Sequence, residues 1–220
     1  SMNFALAVST VKRARSAGLT VAIAAMAFVP ASATAQAQTL PLTARMKGSA
    51  TAPVTVYEMA DFQCPVCKTY VTNVWPTLDK EYVATGKVRW ICINFPLPSI
   101  HANAVAAAEF ATCAAKDGKF WPTHDMLYST QESWEKLKDP VPFFQSKIPS
   151  LGLKADAMNS CLTSGGAAAM VRDDAAGAER SGANATPSFY IEGGMISGLY
   201  PLAVYQRILD SVYKAKTTKG

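Results

Sequence analysis

Two cysteines spaced C-x-x-C, Cys64-Pro65-Val66-Cys67, stand between a Val- and Tyr-rich alternating run and a helical pattern. No other feature constrains the chain as much. A cysteine at the start of a helix lies where unpaired backbone N–H groups and the macrodipole favour a thiolate. Pro65 suits the first helical turn, where its missing N–H is not needed. Cys67, one turn on, is close enough to close a small disulfide ring, and thiolate attack on a mixed disulfide then completes an exchange. On this reading Cys64 is the exposed nucleophile and Cys67 the buried resolving thiol. The other use of C-x-x-C is half of a zinc site, which takes four ligands. There is no second C-x-x-C, and His101 and His124 are isolated in helical stretches, so neither metal nor cofactor is expected.

The surrounding pattern supplies the elements that this chemistry needs. Pro53 to Met59 alternates as a strand does. From Pro65 to about Thr85, Tyr70, Val74, Leu78 and Tyr82 recur at helical spacing, with a kink expected at Pro76 and an end at Gly86. Val88 to Phe95 is nearly continuously apolar and suits a central, doubly buried strand. After Pro96-Leu97-Pro98 the pattern becomes helical over His101–Lys116, 120–129, 139–148, 155–164 and 167–181. Strand character returns at Pro187–Ile191, followed by a Gly193-Gly194 hairpin turn, a return strand at Met195–Ser197 and an amphipathic helix over Leu199–Lys214. Strand–helix–strand, a helical block and strand–strand–helix predict an α/β chain, a thioredoxin fold with an inserted all-helical domain. The parts are a linker at 38–52, thioredoxin core at 53–98, the insert at 99–183 and the rest of the core at 184–216.

Residues 1–37 read as a signal peptide. Lys12, Arg13 and Arg15 precede an apolar stretch, Ala17–Val29, too short to span a bilayer comfortably, and Pro30 and small residues follow. An uncleaved anchor is the alternative for the same stretch. This segment holds three of the 21 basic residues and no acidic one, so the remainder carries 18 basic against 16 acidic residues. The overall charge of +5 therefore gives no reason to expect nucleic acid as a partner. An export signal puts the five cysteines in an oxidising compartment, periplasmic or otherwise outside the cytoplasm, where disulfides persist; five is odd, so at least one thiol is unpaired.

The chain resembles the DsbA-like family of thioredoxin-fold oxidoreductases. The resemblance rests on Ala60-Asp61-Phe62-Gln63-Cys64-Pro65-Val66-Cys67, Phe95-Pro96-Leu97-Pro98 with His101, Gly118-Lys119-Phe120-Trp121, and Ala185-Thr186-Pro187-Ser188-Phe189-Tyr190-Ile191. It spans roughly residues 50–214 and implies dithiol–disulfide exchange on exported proteins. It also implies a buried acid at Glu58, beneath the disulfide, that exchanges a proton with the Cys67 sulfur. Thr186-Pro187 matches the family's cis-proline loop, whose backbone pairs with a bound peptide beside Pro65 and Val66. The branch with cysteines near Cys113 and Cys161 often bridges them. Val66 departs from the best-known member, since a His there stabilises the thiolate and Val does not. The expected potential therefore lies between about −270 mV, as in thioredoxin, and about −120 mV, as in DsbA.

The leading functional reading is an oxidase that gives its Cys64–Cys67 disulfide to reduced exported polypeptides and is reoxidised by a membrane quinone reductase. An isomerase or reductase of the DsbC or DsbG kind is the alternative; those are dimers with an added N-terminal domain, which the short stretch before the first strand leaves no room for, so a monomer is expected. A non-catalytic peptide-binding, chaperone-like module is a further alternative, disfavoured by intact Cys64, Cys67 and Glu58. Cys92, inside the central strand, reads as an inert core thiol. His101 reads as a helix-start residue and His124 as a packing residue.

Overall fold

The computed structural model describes residues 40–218; the expected signal peptide, residues 1–37, lies outside them, as do residues 38 and 39. The alternating run after Pro53 forms strand β2, Val54–Ala60, and the apolar run after Gly86 forms β3, Val88–Asn94. They pair in parallel, with Glu58 opposite Cys92 and Val56 opposite Trp90. Both are almost wholly buried, as strands covered on two faces must be. Antiparallel β4, Ser188–Ile191, lines the other side of β2, and β5, Gly194–Ser197, completes that edge. The hairpin between β4 and β5 turns at Glu192-Gly193, one residue earlier than expected, with positive φ at both positions.

The remaining edge comes from within the stretch expected to be a linker. A 3₁₀ turn over Leu42–Arg45 leads into a two-residue strand, β1, Met46–Lys47, which pairs antiparallel with β3. The sheet order is β1-β3-β2-β4-β5. Arg45, 4% exposed, is drawn inward by an ion pair with Asp174. Gly48, at φ +95°, lets the chain leave β1, because a Cβ there would stand 2.7 Å from the Val88 carbonyl.

The helix after the cysteine pair is broken where Pro76 predicts a kink. Helix α1 spans Pro65–Asn73 and α2 spans Trp75–Leu78, and a π-helical turn at Asp79–Val83 follows. Val74 between them opens to φ −113°, which accommodates a residue that cannot donate to the preceding turn. The first insert helix, α3, Ala104–Ala115, begins three residues later than the alanine-rich pattern suggests, leaving His101 in the turn before it. The helices α4, Phe120–Ser129, α5, Gln131–Trp134, α6, Val141–Lys147, α7, Ala155–Thr163, and α8, Gly166–Arg180, follow, and α9, Leu202–Thr217, closes the chain.

Three patches of core hold these layers together. Val54, Val56 and Trp90 pack against Tyr70, Leu78, Tyr205 and Leu209 on one face of the sheet. Met59, Ile91 and Ile93 pack against Ala178 of α8 on the other. The third patch joins Phe62, Cys64, Cys67 and Cys92 to Phe110, Phe120, Trp134 and Phe144 of the insert. The helical segment therefore shares its core with the cysteine pair rather than standing as a separate body, and the described residues form one compact unit.

Candidate active site

Asp61 shapes the loop that presents the first cysteine. It is 1% exposed, its Oδ1 accepts the Gln63 N–H at 2.8 Å, and its carbonyl accepts the Cys64 N–H at 3.1 Å. Its Oδ2 accepts the Leu97 N–H at 2.9 Å and meets His101 Nδ1 at 2.7 Å. His101 is thus placed against the loop's carboxylate as well as near a helix start. The insert grips the same loop: Tyr128 Oη donates to the Asp61 carbonyl, and Gln131 Nε2 donates to the carbonyls of Phe62 and Cys64. Gln63 Oε1 accepts the Asn103 N–H, and Gln63 Nε2 donates to the Glu135 carbonyl. Sequence reasoning singles out none of Asn103, Tyr128 or Gln131, and Asp61 and Gln63 only as part of the motif, because their partners are remote in the chain.

Cys64 is the N-cap of α1 and Pro65 occupies the first helical turn. The expectation of an exposed nucleophile needs correction: Cys64 is only 5% exposed. The loop at Thr186-Pro187, joined by a cis peptide bond, closes over it, and the Cys64 thiol donates to the Thr186 carbonyl at 3.4 Å. Exposure passes instead to Val66, at 39%. The Cys64 pKa is lowered to about 6, first by the hydrogen bond from the Cys67 thiol; burial opposes it, and the Thr186 side chain and the backbone N–H groups of Cys67 and Val66 assist. Cys67 is wholly buried, and burial, together with its bond to Cys64, pushes its pKa well above the ordinary thiol value. One sulfur is set to be a thiolate and its neighbour to keep its proton.

Glu58 lies on β2 beneath this pair, on the face that carries Trp90 and Cys92. It is 1% exposed, and burial raises its pKa, against smaller lowering effects from His124 and from the Trp90 Nε1 donor at 2.7 Å. Its other oxygen, Oε1, has no protein partner. Burial and the nearby Glu58 raise the Cys92 pKa well above the ordinary value, which leaves a core thiol with little nucleophilic character. In the insert, Cys113 of α3 and Cys161 of α7 are bridged, with Cα atoms 5.8 Å apart. Among the described residues, no group of three or more His, Cys, Asp or Glu is arranged to hold a metal ion.

A low-pKa cysteine capping a helix, a buried partner one turn on and a cis-proline loop across them define a thioredoxin-type dithiol centre. The family described as thioredoxin matches residues 42–211. Probable disulfide bond formation protein D of Bacillus anthracis is 31% identical over 152 residues, 67% of this chain and 69% of that protein. The Na(+)/H(+) antiporter NhaA 3 of Salinispora tropica is 30% identical over 168 residues, 76% of this chain, yet the chain spans only 24% of that protein's length. Among solved structures, alpha-DsbA1 of Wolbachia pipientis shares the fold at a TM-score of 0.69 and 24% identity, over 80% of this chain and 93% of that one. The chain belongs to the DsbA-like family of thioredoxin-fold thiol–disulfide oxidoreductases.

Proposed function

We propose that the protein is an oxidase that transfers the Cys64–Cys67 disulfide to reduced polypeptides outside the cytoplasm. The observation that carries this reading is the opposite shift of its two thiols. A substrate thiolate attacks Cys64 Sγ of the oxidised pair and expels Cys67. Glu58 supplies the proton that the buried Cys67 sulfur needs, becoming a carboxylate. A second substrate thiolate then attacks the substrate sulfur of the mixed disulfide and expels Cys64, a good leaving group because its pKa is about 6. A stable Cys64 thiolate favours the reduced enzyme and so makes the disulfide oxidising.

The backbone of Thr186 is the docking edge for an extended substrate, with Pro65 and Val66 beside it. Exposed Val66, Ile100, Leu137, Leu199 and Tyr200 offer apolar contacts that a folding polypeptide can meet. Cys113–Cys161 is a structural bridge. The export signal read at residues 1–37 supports the location, and a membrane quinone reductase is the proposed reoxidant of a monomeric enzyme. The test is equilibration with glutathione to fix the potential, followed by refolding of reduced RNase and reduction of insulin. Oxidation of RNase with recovery of its activity is the expected result. Insulin reduction without RNase oxidation would overturn the oxidase reading in favour of a reductase.

A further inference from the structure

Glu58, at 1% exposure, has to regain a proton after each transfer to Cys67, and a buried carboxylate with an unpartnered oxygen is costly to leave charged. Three further buried polar atoms also lack protein partners: Tyr70 Oη and His124 Nε2, on side chains that interact electrostatically with Glu58, and Trp121 Nε1, on the ring that meets His124. Buried polar atoms are nearly always satisfied, by protein or by ordered water, so this group marks a polar seam within the aromatic core. A wall of rings runs along it. Trp90, which donates to Glu58, packs on Trp75 at 4.9 Å; Trp75 stacks on Trp121 at 5.5 Å; and Trp121 meets His124 at 5.0 Å.

His124 stands where this seam approaches the surface. Its ring is 1% exposed and enclosed by Phe62, Trp121 and Tyr128. Its Nδ1 lies 2.8 Å from Oδ1 of Asp125, whose side chain is 64% exposed. Asp125 lines a surface cleft of about 320 Å³ together with Val71, Trp75 and Tyr128. We propose that His124 carries the proton between the buried Glu58–Cys67 pair and solvent, with Asp125 as the outer terminus. The inference rests on the exchange reaction proposed above and adds the route by which its buried acid is recharged.

The chemistry balances without any redox partner beyond the thiols. Asp125 accepts the Nδ1–H of the neutral imidazole, which leaves the Nε2 lone pair facing inward. When Cys67 becomes a nucleophile during reoxidation, its proton passes to the Glu58 carboxylate. Glu58 then gives a proton, through ordered water, to His124 Nε2. Asp125 holds the imidazolium until the Nδ1 proton leaves to solvent, and the oxidising half-cycle runs the same transfers in reverse. When His124 is the imidazolium, its charge acts on Glu58 against the effect of burial. The other ionisable groups around the seam are Cys67 and Tyr70 from α1, Tyr128 from α4, Cys92 from β3 and Tyr205 from α9. Lys47 of β1 lies over Trp75 and Trp121 and is paired with Asp79, and Arg45 is paired with Asp174.

The test is stopped-flow tryptophan fluorescence of the oxidised protein mixed with reduced glutathione across pH 5–9, for the wild type, H124Q, D125N, E58Q and E58Q/H124Q. General acid–base groups contribute at least about a hundredfold when they act at the reacting atom, and a residue one step removed is expected to cost about tenfold. H124Q should slow exchange by about that factor with an unchanged redox potential, and E58Q/H124Q should be no slower than E58Q. D125N should move the midpoint of the rate profile to lower pH. A folded H124Q with the wild-type rate and profile overturns the proposal, as does an H124Q effect that multiplies with that of E58Q. If H124Q does not fold, a D125N profile superimposable on the wild type overturns it instead, Asp125 being exposed. A wild type that exchanges no disulfide with glutathione defeats the proposed function itself, an outcome distinct from all of these.

Discussion

Replacing Cys67 by Ala tests how the reactive thiolate is stabilised. In the reduced protein the first contribution holding the Cys64 pKa at about 6 is the hydrogen bond from the Cys67 thiol. A hydrogen bond to a charged group is worth about 1.5–3 kcal/mol, and about 1.36 kcal/mol corresponds to one pKa unit. Losing the donor should therefore raise the Cys64 pKa by about one to two units, to roughly 7–8. It should not return fully to the ordinary thiol value of about 8.5, because the backbone N–H groups of Val66 and Cys67 at the start of α1 remain. The assay is thiolate absorbance near 240 nm against pH, checked by the pH dependence of iodoacetamide alkylation. A C67A variant still titrating near pH 6 would show that the helix N-terminus alone sets the value. A variant titrating at or above about 8.5 would show that the backbone donors contribute nothing.

Val66→His should make the protein more oxidising by a few tens of millivolts, since about 30 mV matches 1.4 kcal/mol for two electrons; an unchanged potential in glutathione equilibration would show that the loop dipeptide does not tune this site. Glu58 has a raised pKa in the fold, so the stability tied to its protonated form is full below its unfolded value near 4.5 and is lost as pH rises through the folded value. Glu58→Gln should therefore melt at a higher temperature than the wild type at pH 7, with the gain shrinking as pH falls towards 4.5, and a gain independent of pH would refute the burial argument. Removing the Cys113–Cys161 bridge with paired Ser substitutions opens a loop of 48 residues and should cost about 4 kcal/mol in denaturant unfolding while leaving the Cys64 pKa in place. Arg45→Ala leaves the mostly buried Asp174, its side chain 11% exposed, without its cation and should cost up to about 3 kcal/mol; a loss under about 1 kcal/mol would show that the Asn94 donors to Asp174 suffice without the arginine.

The sequence by itself determined the site's location and the order of the main elements, because both depend on local signals. A C-x-x-C after an alternating strand and at the head of a helical pattern is readable in about thirty residues, and the long helices α3, α4, α7 and α8 show their periodicity to within a few positions. The short elements were less legible. Met46–Lys47 has no strand pattern of its own and joins the sheet only because the edge of β3 offers unpaired backbone groups. Nothing in the sequence marks Arg45 for burial, since its partner Asp174 is brought beside it from 129 residues away. Likewise, the expectation of an exposed Cys64 failed because Thr186, 122 positions further on, closes over the sulfur. Only the tertiary structure decided that His101 meets Asp61 and that His124 is enclosed by Phe62, Trp121 and Tyr128 with its Nδ1 against Asp125. Hydrogen bonds, desolvation and charge act over a few ångströms in space, whereas periodicity along the chain reports only which face of an element is covered, not by which residues.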